Sequence, residues 1–130
     1  MTIRNPKPAA FDERGSMSVQ MVVLMPLLFG IAFTGLQAGL YFYGRSAALS
    51  AATTGARAAA AEGGTTTACH QAAAEFLTSL GDVLTNPGID CARTATTVTA
   101  RVTGATLSVI PGWQPQVAQE RVQQVERVTR

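Results

Sequence analysis

The 130-residue chain carries a formal charge of +2, with 47% hydrophobic and 14% charged residues, which leaves room for one small domain. Arg57, Arg93, Arg101, Arg121 and Arg127 are interleaved with Glu62, Glu75, Asp82, Asp90, Glu120 and Glu126, the pattern of an ordinary solvated surface. So small and scattered an excess of positive charge excludes a nucleic-acid partner.

Residues 1–15 combine Pro6 and Pro8 with Arg4, Lys7, Asp12, Glu13 and Arg14, without hydrophobic periodicity, and read as a polar leader. From Ser16 to Tyr43 the composition changes, and no charged side chain occurs between Arg14 and Arg45. A bilayer-crossing helix needs about 20 mainly apolar residues, and this run meets that length. Left in water, such a segment would aggregate. Pro26 removes one backbone hydrogen bond and is expected to kink the helix. Gly35 and Gly39 form a Gly-x-x-x-Gly pair of the kind that lets two helices approach closely in lipid. Gln37, between them, is available for an interhelical hydrogen bond, and Tyr41 and Tyr43 suit the membrane interface.

Past Arg45, the small residues Ala47, Ala48, Ala51, Ala52, Gly55, Ala58 and Ala59 keep helical spacing, so the helix is expected to continue to Gly63-Gly64. Thr65, Thr66 and Thr67 offer N-caps for a second helix, with Ala73, Phe76, Leu77, Leu80, Val83 and Leu84 on one face. Asn86-Pro87-Gly88 reads as the turn that ends it. Val98, Ala100 and Val102 then alternate with Thr97, Thr99, Arg101 and Thr103 as a half-buried strand. Gly104 punctuates it, and Leu107 and Val109 alternate again before Pro111-Gly112. The last segment, with Ala118, Val122 and Val125, fits either a helix or a strand.

The expected fold class is α+β: a long transmembrane helix that continues into a small extracytoplasmic domain of one helix and a short antiparallel sheet. The expected boundaries are a cytoplasmic leader over 1–15, the membrane helix over 16–43, its extracytoplasmic continuation over 44–62 and the domain over 63–130. Cys69 and Cys91, the only cysteines, suggest a disulfide in an oxidising compartment, the alternative being two unpaired, buried thiols. Arg4, Lys7 and Arg14 favour a cytoplasmic leader and an outer C-terminal part, against Arg45 and Arg57 on the other flank.

No catalytic constellation is evident. His70 has no partners at zinc-ligand spacing, and its neighbour Cys69 would point away from it on a helix. Phosphate-cradling loops, paired carboxylates and serine elbows are not found. Trp113 reads as a packing residue. Neither an enzyme, a cofactor nor a metal site is expected.

Arg14-Gly15-Ser16-Met17-Ser18-Val19-Gln20, followed by Met21-Val22-Val23-Leu24-Met25-Pro26, resembles the start of TadE-like proteins, the small pseudopilins of the Tad (tight adherence, Flp pilus) assembly system. The resemblance continues through Gly35 to Phe42 and Gly55 to Ala60; Val102-Thr103-Gly104 and Pro111-Gly112 look like the variable outer region. It implies a pilin-like protein of the cytoplasmic membrane, cut by a prepilin peptidase between Gly15 and Ser16. Its partners would be the lipid bilayer, other pilins and an inner-membrane assembly platform. It assigns Gln20 and Pro26 to assembly and, with the glycine pair, Gly35 and Gly39 to helix packing. The family's pattern has a glutamate where Gln20 stands, and another where Thr54 stands; Gln20 can hydrogen-bond but cannot neutralise a neighbour's terminal amine. The resulting expectation is a minor pilin or pseudopilin that acts by helix packing in a filament or its base. Two alternatives stand beside it. One is an uncleaved scaffold of the same machinery. The other is a small binding domain released by signal peptidase near Ala48 to Ala52, although a signal's apolar core is typically only about 7–15 residues.

Overall fold

The structure, a computed structural model, describes residues 9–127. The first eight residues of the expected leader lie outside the described residues. Five elements follow in order: α1 (Ala9–Ala60), α2 (Thr66–Ser79), β1 (Leu84–Arg93), β2 (Thr97–Thr106) and β3 (Gln116–Gln124). This is the expected α+β class. The chain divides between Leu36 and Gln37 into two units, so that α1 contributes to both.

In the first unit α1 exposes large apolar side chains from Met21 to Leu36. Met17, Val22, Phe29, Ile31 and Leu36 are each at least half exposed, and the apolar window has no buried residue. A helix without a polar face belongs in lipid or inside a large core. The helix passes through Pro26.

In the second unit α1 turns one face of very small residues inward. Gly44, Ala48, Ala52, Ala56 and Ala60 recur every fourth residue, beside Ala47, Ala51, Gly55 and Ala59, and all nine are buried. A side chain at Gly55 would meet the Cys69 carbonyl oxygen at 2.9 Å and the Ala73 Cβ at 3.2 Å, so α2 crosses almost on the α1 backbone. Gly44 plays the same part against Thr106 and Leu84. Alanine buries little surface, so the bulk of the core comes from the sheet and α2: Val98, Val102, Val117, Leu77 and Leu84 are buried. Each such side chain contributes about 1.5–3 kcal/mol on leaving water.

The end of α1 is closed by tertiary bonds, which satisfy carbonyls that a helix terminus leaves without partners. The Arg93 Nε donates to the Ala59 carbonyl at 3.1 Å, and the Glu126 amide to the Ala60 carbonyl at 2.8 Å. Thr65 caps α2, accepting from the Ala68 amide at 3.1 Å. His70 lies exposed in the first turns of α2.

The sheet is antiparallel in the order β1-β2-β3. On β2, Val98, Ala100 and Val102 are fully buried, as their alternation with threonines and Arg101 predicts. The ambiguous last segment is β3, antiparallel to β2. Four sequence expectations are corrected. Asn86-Pro87-Gly88 does not end a helix: α2 ends at Ser79, Gly81 takes φ +83°, and Val83 and Leu84 leave the helix, Leu84 opening β1. The Asn-Pro-Gly run is an irregularity inside β1, where pairing shifts between Thr85 and Gly88 and Asn86 takes φ 50°. A bulge of this kind accommodates a proline that cannot donate to the ladder. Gly104 does not interrupt β2; it pairs with Val117, and a side chain there would meet Leu84 Cβ at 3.1 Å. Leu107 and Val109 belong to no strand but to a nine-residue loop, 107–115.

Cys69 and Cys91 are joined, with Cα atoms 6.3 Å apart and a sequence separation of 22. The bond ties α2 to β1, and Cys69 is fully buried. Restricting the unfolded chain by a loop of this length is worth about 3 kcal/mol. Replacing both cysteines by serine is therefore expected to lower stability by about 3 kcal/mol in detergent-solubilised protein, read by thermal or denaturant unfolding. Gly55→Val should cost on the order of 1–3 kcal/mol by overpacking against α2. Gly30→Val, where nothing lies within 4 Å, should leave the same transition in place.

Candidate functional site

The expected site residues lie along the apolar segment of α1, and the loop 107–115 is held to α1 within the second unit. Gly15, Ser16, Gln20 and Pro26 are all exposed along α1. The Gly15–Ser16 bond lies inside the helix, because α1 already begins at Ala9. The alanines at its start are strong helix formers. No hydrogen bond of the Gln20 side chain occurs among the described residues.

Gly35 and Gly39 are exposed, with nothing within 4 Å of a side chain built on either. The sequence reading missed a second feature one to two turns earlier. Pro26, Leu27, Gly30, Ile31 and Thr34 line a shallow open groove on the helix surface. Its floor follows from Pro26, Gly30 and Thr34 recurring at every fourth position, where short side chains stack on one face. Thr34 turns its hydroxyl back onto the Gly30 carbonyl at 2.7 Å, so its polar group is satisfied within the helix. The signal that could have found the groove was the spacing of these three residues.

Gln37 is a correction to the sequence reading. Its side chain is 5% exposed and serves the domain, not a neighbouring helix. The Oε1 atom accepts from the Val109 amide at 2.8 Å and from the Ser108 hydroxyl at 3.1 Å. Its Nε2 is buried without a partner. The Ser108 hydroxyl also accepts from the Ile110 amide at 3.1 Å, and its one proton is shared between Gln37 Oε1 and the Ile110 carbonyl, each 3.1 Å away. Thr106 closes the loop base, its amide and hydroxyl both donating to the Pro115 carbonyl, at 2.8 and 3.2 Å. The loop 107–115 is thus fastened to α1 through one glutamine. Trp113, expected to pack, is half exposed on this loop, with Leu107 and Ile110 also open. Tyr41 packs against the core, whereas Phe42 and Tyr43 face outward.

Among the described residues no group of three or more His, Cys, Asp or Glu side chains could hold a metal ion. Open grooves elsewhere, such as the one between α2 and β1 lined by Leu77, Asp82, Pro87 and Ile89, bring no nucleophile and base together.

The described residues thus join an exposed apolar helical segment to a small disulfide-closed α+β domain. Residues 15–57 match the family model described as TadE-like protein, so this stretch is similar to the one its sequence resemblance points to. The match opens on Gly15 and takes in the apolar run and most of the alanine face. One helix among the described residues, Gly15–Ala60, is long and apolar enough to span a membrane. No curated protein and no solved structure is significantly similar to the chain.

Gln37→Leu keeps the bulk but removes the acceptor shared by Val109 and Ser108. Amide exchange at Val109 and Ile110 should rise roughly fivefold, corresponding to about 1 kcal/mol, while amides of β2 stay protected.

Proposed function

We propose that the chain is a membrane-anchored minor pilin or pseudopilin of a Tad pilus or a related secretion assembly. It works by helix packing in the filament or its base, without catalysis. The observation that carries this reading is the apolar segment of α1, exposed on all sides and lying within the TadE-like match. The membrane span is residues 16–36. That stretch rises about 32 Å at about 1.5 Å per residue, close to the roughly 30 Å of a hydrocarbon core. Residues 37–43 belong to the domain side, since Gln37 is buried under the loop and Tyr41 touches the core.

The leader stays in the cytoplasm and the domain lies outside the cytoplasmic membrane, where the Cys69–Cys91 bond is stable. Prepilin peptidase cuts between Gly15 and Ser16. Glycine costs a helix interior roughly 1 kcal/mol relative to alanine, so Gly15 weakens α1 at this point. Gly35, Gly39 and the Pro26–Gly30–Thr34 groove give neighbouring pilin helices places of close approach. Gln20 joins them by hydrogen bonding in place of a charge pair, and an inner-membrane platform receives the assembly.

A second reading, an uncleaved scaffold of the same machinery, is favoured by Gln20 at the glutamate position and by the helical setting of the Gly15–Ser16 bond. Release by signal peptidase is disfavoured: Ala48, Ala51 and Ala52 are fully buried, and cutting among them would strip the domain of its central helix.

The mature N-terminus, measured by intact mass on protein extracted from native membranes, separates these readings. A chain starting at Ser16 is expected. A chain retaining the leader overturns the processed pilin in favour of the scaffold, and a start near Ala51 with protein in the medium overturns both.

A further inference from the structure

The loop 107–115 leaves three large apolar side chains open to solvent, at 43% for Leu107, 45% for Ile110 and 50% for Trp113. Elsewhere on the domain the surface alternates charges, yet from Val102 through Gln119 the chain carries none. Clustered apolar exposure on a small domain marks a contact surface. The position of this one along α1 is fixed. Gln37 holds Val109 and Ser108 at 2.8 and 3.1 Å, and Gln37 directly follows Leu36, where the proposed span ends. The loop therefore stands at the level at which α1 leaves the hydrocarbon.

The rest of that level has the composition of a membrane interface. Phe42 and Tyr43 are exposed on α1 about 8–9 Å beyond Gln37. Arg45, also exposed, is the first charge after Arg14 and lies about 12 Å beyond Gln37. A headgroup layer is about 5–8 Å deep on each side. Side chains on a helix lean toward its N-terminus, so these long side chains can reach back to that layer from backbone positions beyond it. Pro111 and Gly112, the latter at φ +79°, make the turn that presents Ile110 and Trp113. The Trp113 amide donates to the Ile110 carbonyl at 3.3 Å across it.

We propose that the loop 107–115 seats in the outer-leaflet interface, with Leu107, Ile110 and Trp113 entering the headgroup–acyl boundary as a second membrane contact beside the span. This rests on reading residues 16–36 as a span. Lipid is the occupant the observations favour over another protein, because the patch is uncharged and sits where the chain itself must meet the bilayer. The contact would fix the tilt of the domain on the membrane before assembly; extraction into a filament would expose the loop.

The full chain in phosphatidylcholine–phosphatidylglycerol vesicles tests this, with Trp113 as the sole tryptophan. Its emission should be blue-shifted and shielded from aqueous iodide. Acyl chains brominated near the headgroup should quench it roughly twofold more than chains brominated near the bilayer centre, as an interfacial ring requires. Leu107→Ser with Ile110→Ser should weaken that quenching while the chain stays resistant to alkaline carbonate extraction. Loss of the wild-type chain to carbonate would defeat the span and the loop together. A retained chain whose Trp113 is open to iodide and untouched by bromine overturns the loop contact alone. A blue shift that grows with protein-to-lipid ratio, without bromine quenching, assigns the patch to a neighbouring copy and also overturns it.

Discussion

The domain depends on how closely other backbone can approach α1 between Gly44 and Ala60. Nine glycines and alanines in two adjacent rows make that face nearly smooth, and α2 comes within van der Waals contact of it at Gly55. Such a face gains little from each side chain it buries. It gains instead from letting Val98, Val102, Leu77 and Leu84 reach a common centre around a thin helix. The cost is a core of modest bulk, and the Cys69–Cys91 bond offsets it by restricting the unfolded chain between α2 and β1. The disulfide and the small-residue face are two halves of one solution.

The same helix serves two environments, and its residues divide accordingly. Up to Leu36 large side chains point in every direction, which suits a medium that is apolar on all sides. From Gln37 onward one face is stripped to glycine and alanine while Arg45 and Arg57 face outward. Gln37 marks the change, with its carbonyl oxygen satisfied by the loop and its amide nitrogen left buried. A buried polar atom without a partner is unfavourable. Its retention here accompanies two bonds that set the position of the whole β2–β3 connection.

Much of this was legible in the residues. The length of the apolar run, the alanine spacing and the alternation around Val98 each follow from a single periodicity, and all three appear where that periodicity puts them. What was not legible depends on partners distant in sequence. Asn86-Pro87-Gly88 has turn chemistry, but α2 had already ended at Ser79, and the strand absorbed the proline as a bulge. Gln37 looked like an interhelical donor because nothing local identifies Val109, 72 positions on, as its partner. The caps on Ala59 and Ala60, from Arg93 and Glu126, were invisible for the same reason. Gly30 and Thr34 were overlooked for a different one: the Gly-x-x-x-Gly pair drew attention away from a less uniform row at the same spacing.

Gln20 and Gln37 are the two amides of the apolar run, and the contrast between them bears on assembly. Gln37 is committed inside its own chain. Gln20 is exposed, and no described hydrogen bond engages it. Thr34, the other polar group deep in the run, is satisfied by the Gly30 carbonyl. Gln20 thus remains the amide with both donor and acceptor capacity open toward a neighbouring helix, where such bonds contribute about 1–2 kcal/mol in model peptides and less in folded membrane proteins. A carboxylate in its place could only accept, and would have to be desolvated with a cation beside it. An amide instead can pair with another amide or a backbone group without any charge in lipid. An amide at this position therefore offers a weaker contact than a carboxylate–amine pair would, but one that tolerates several kinds of partner.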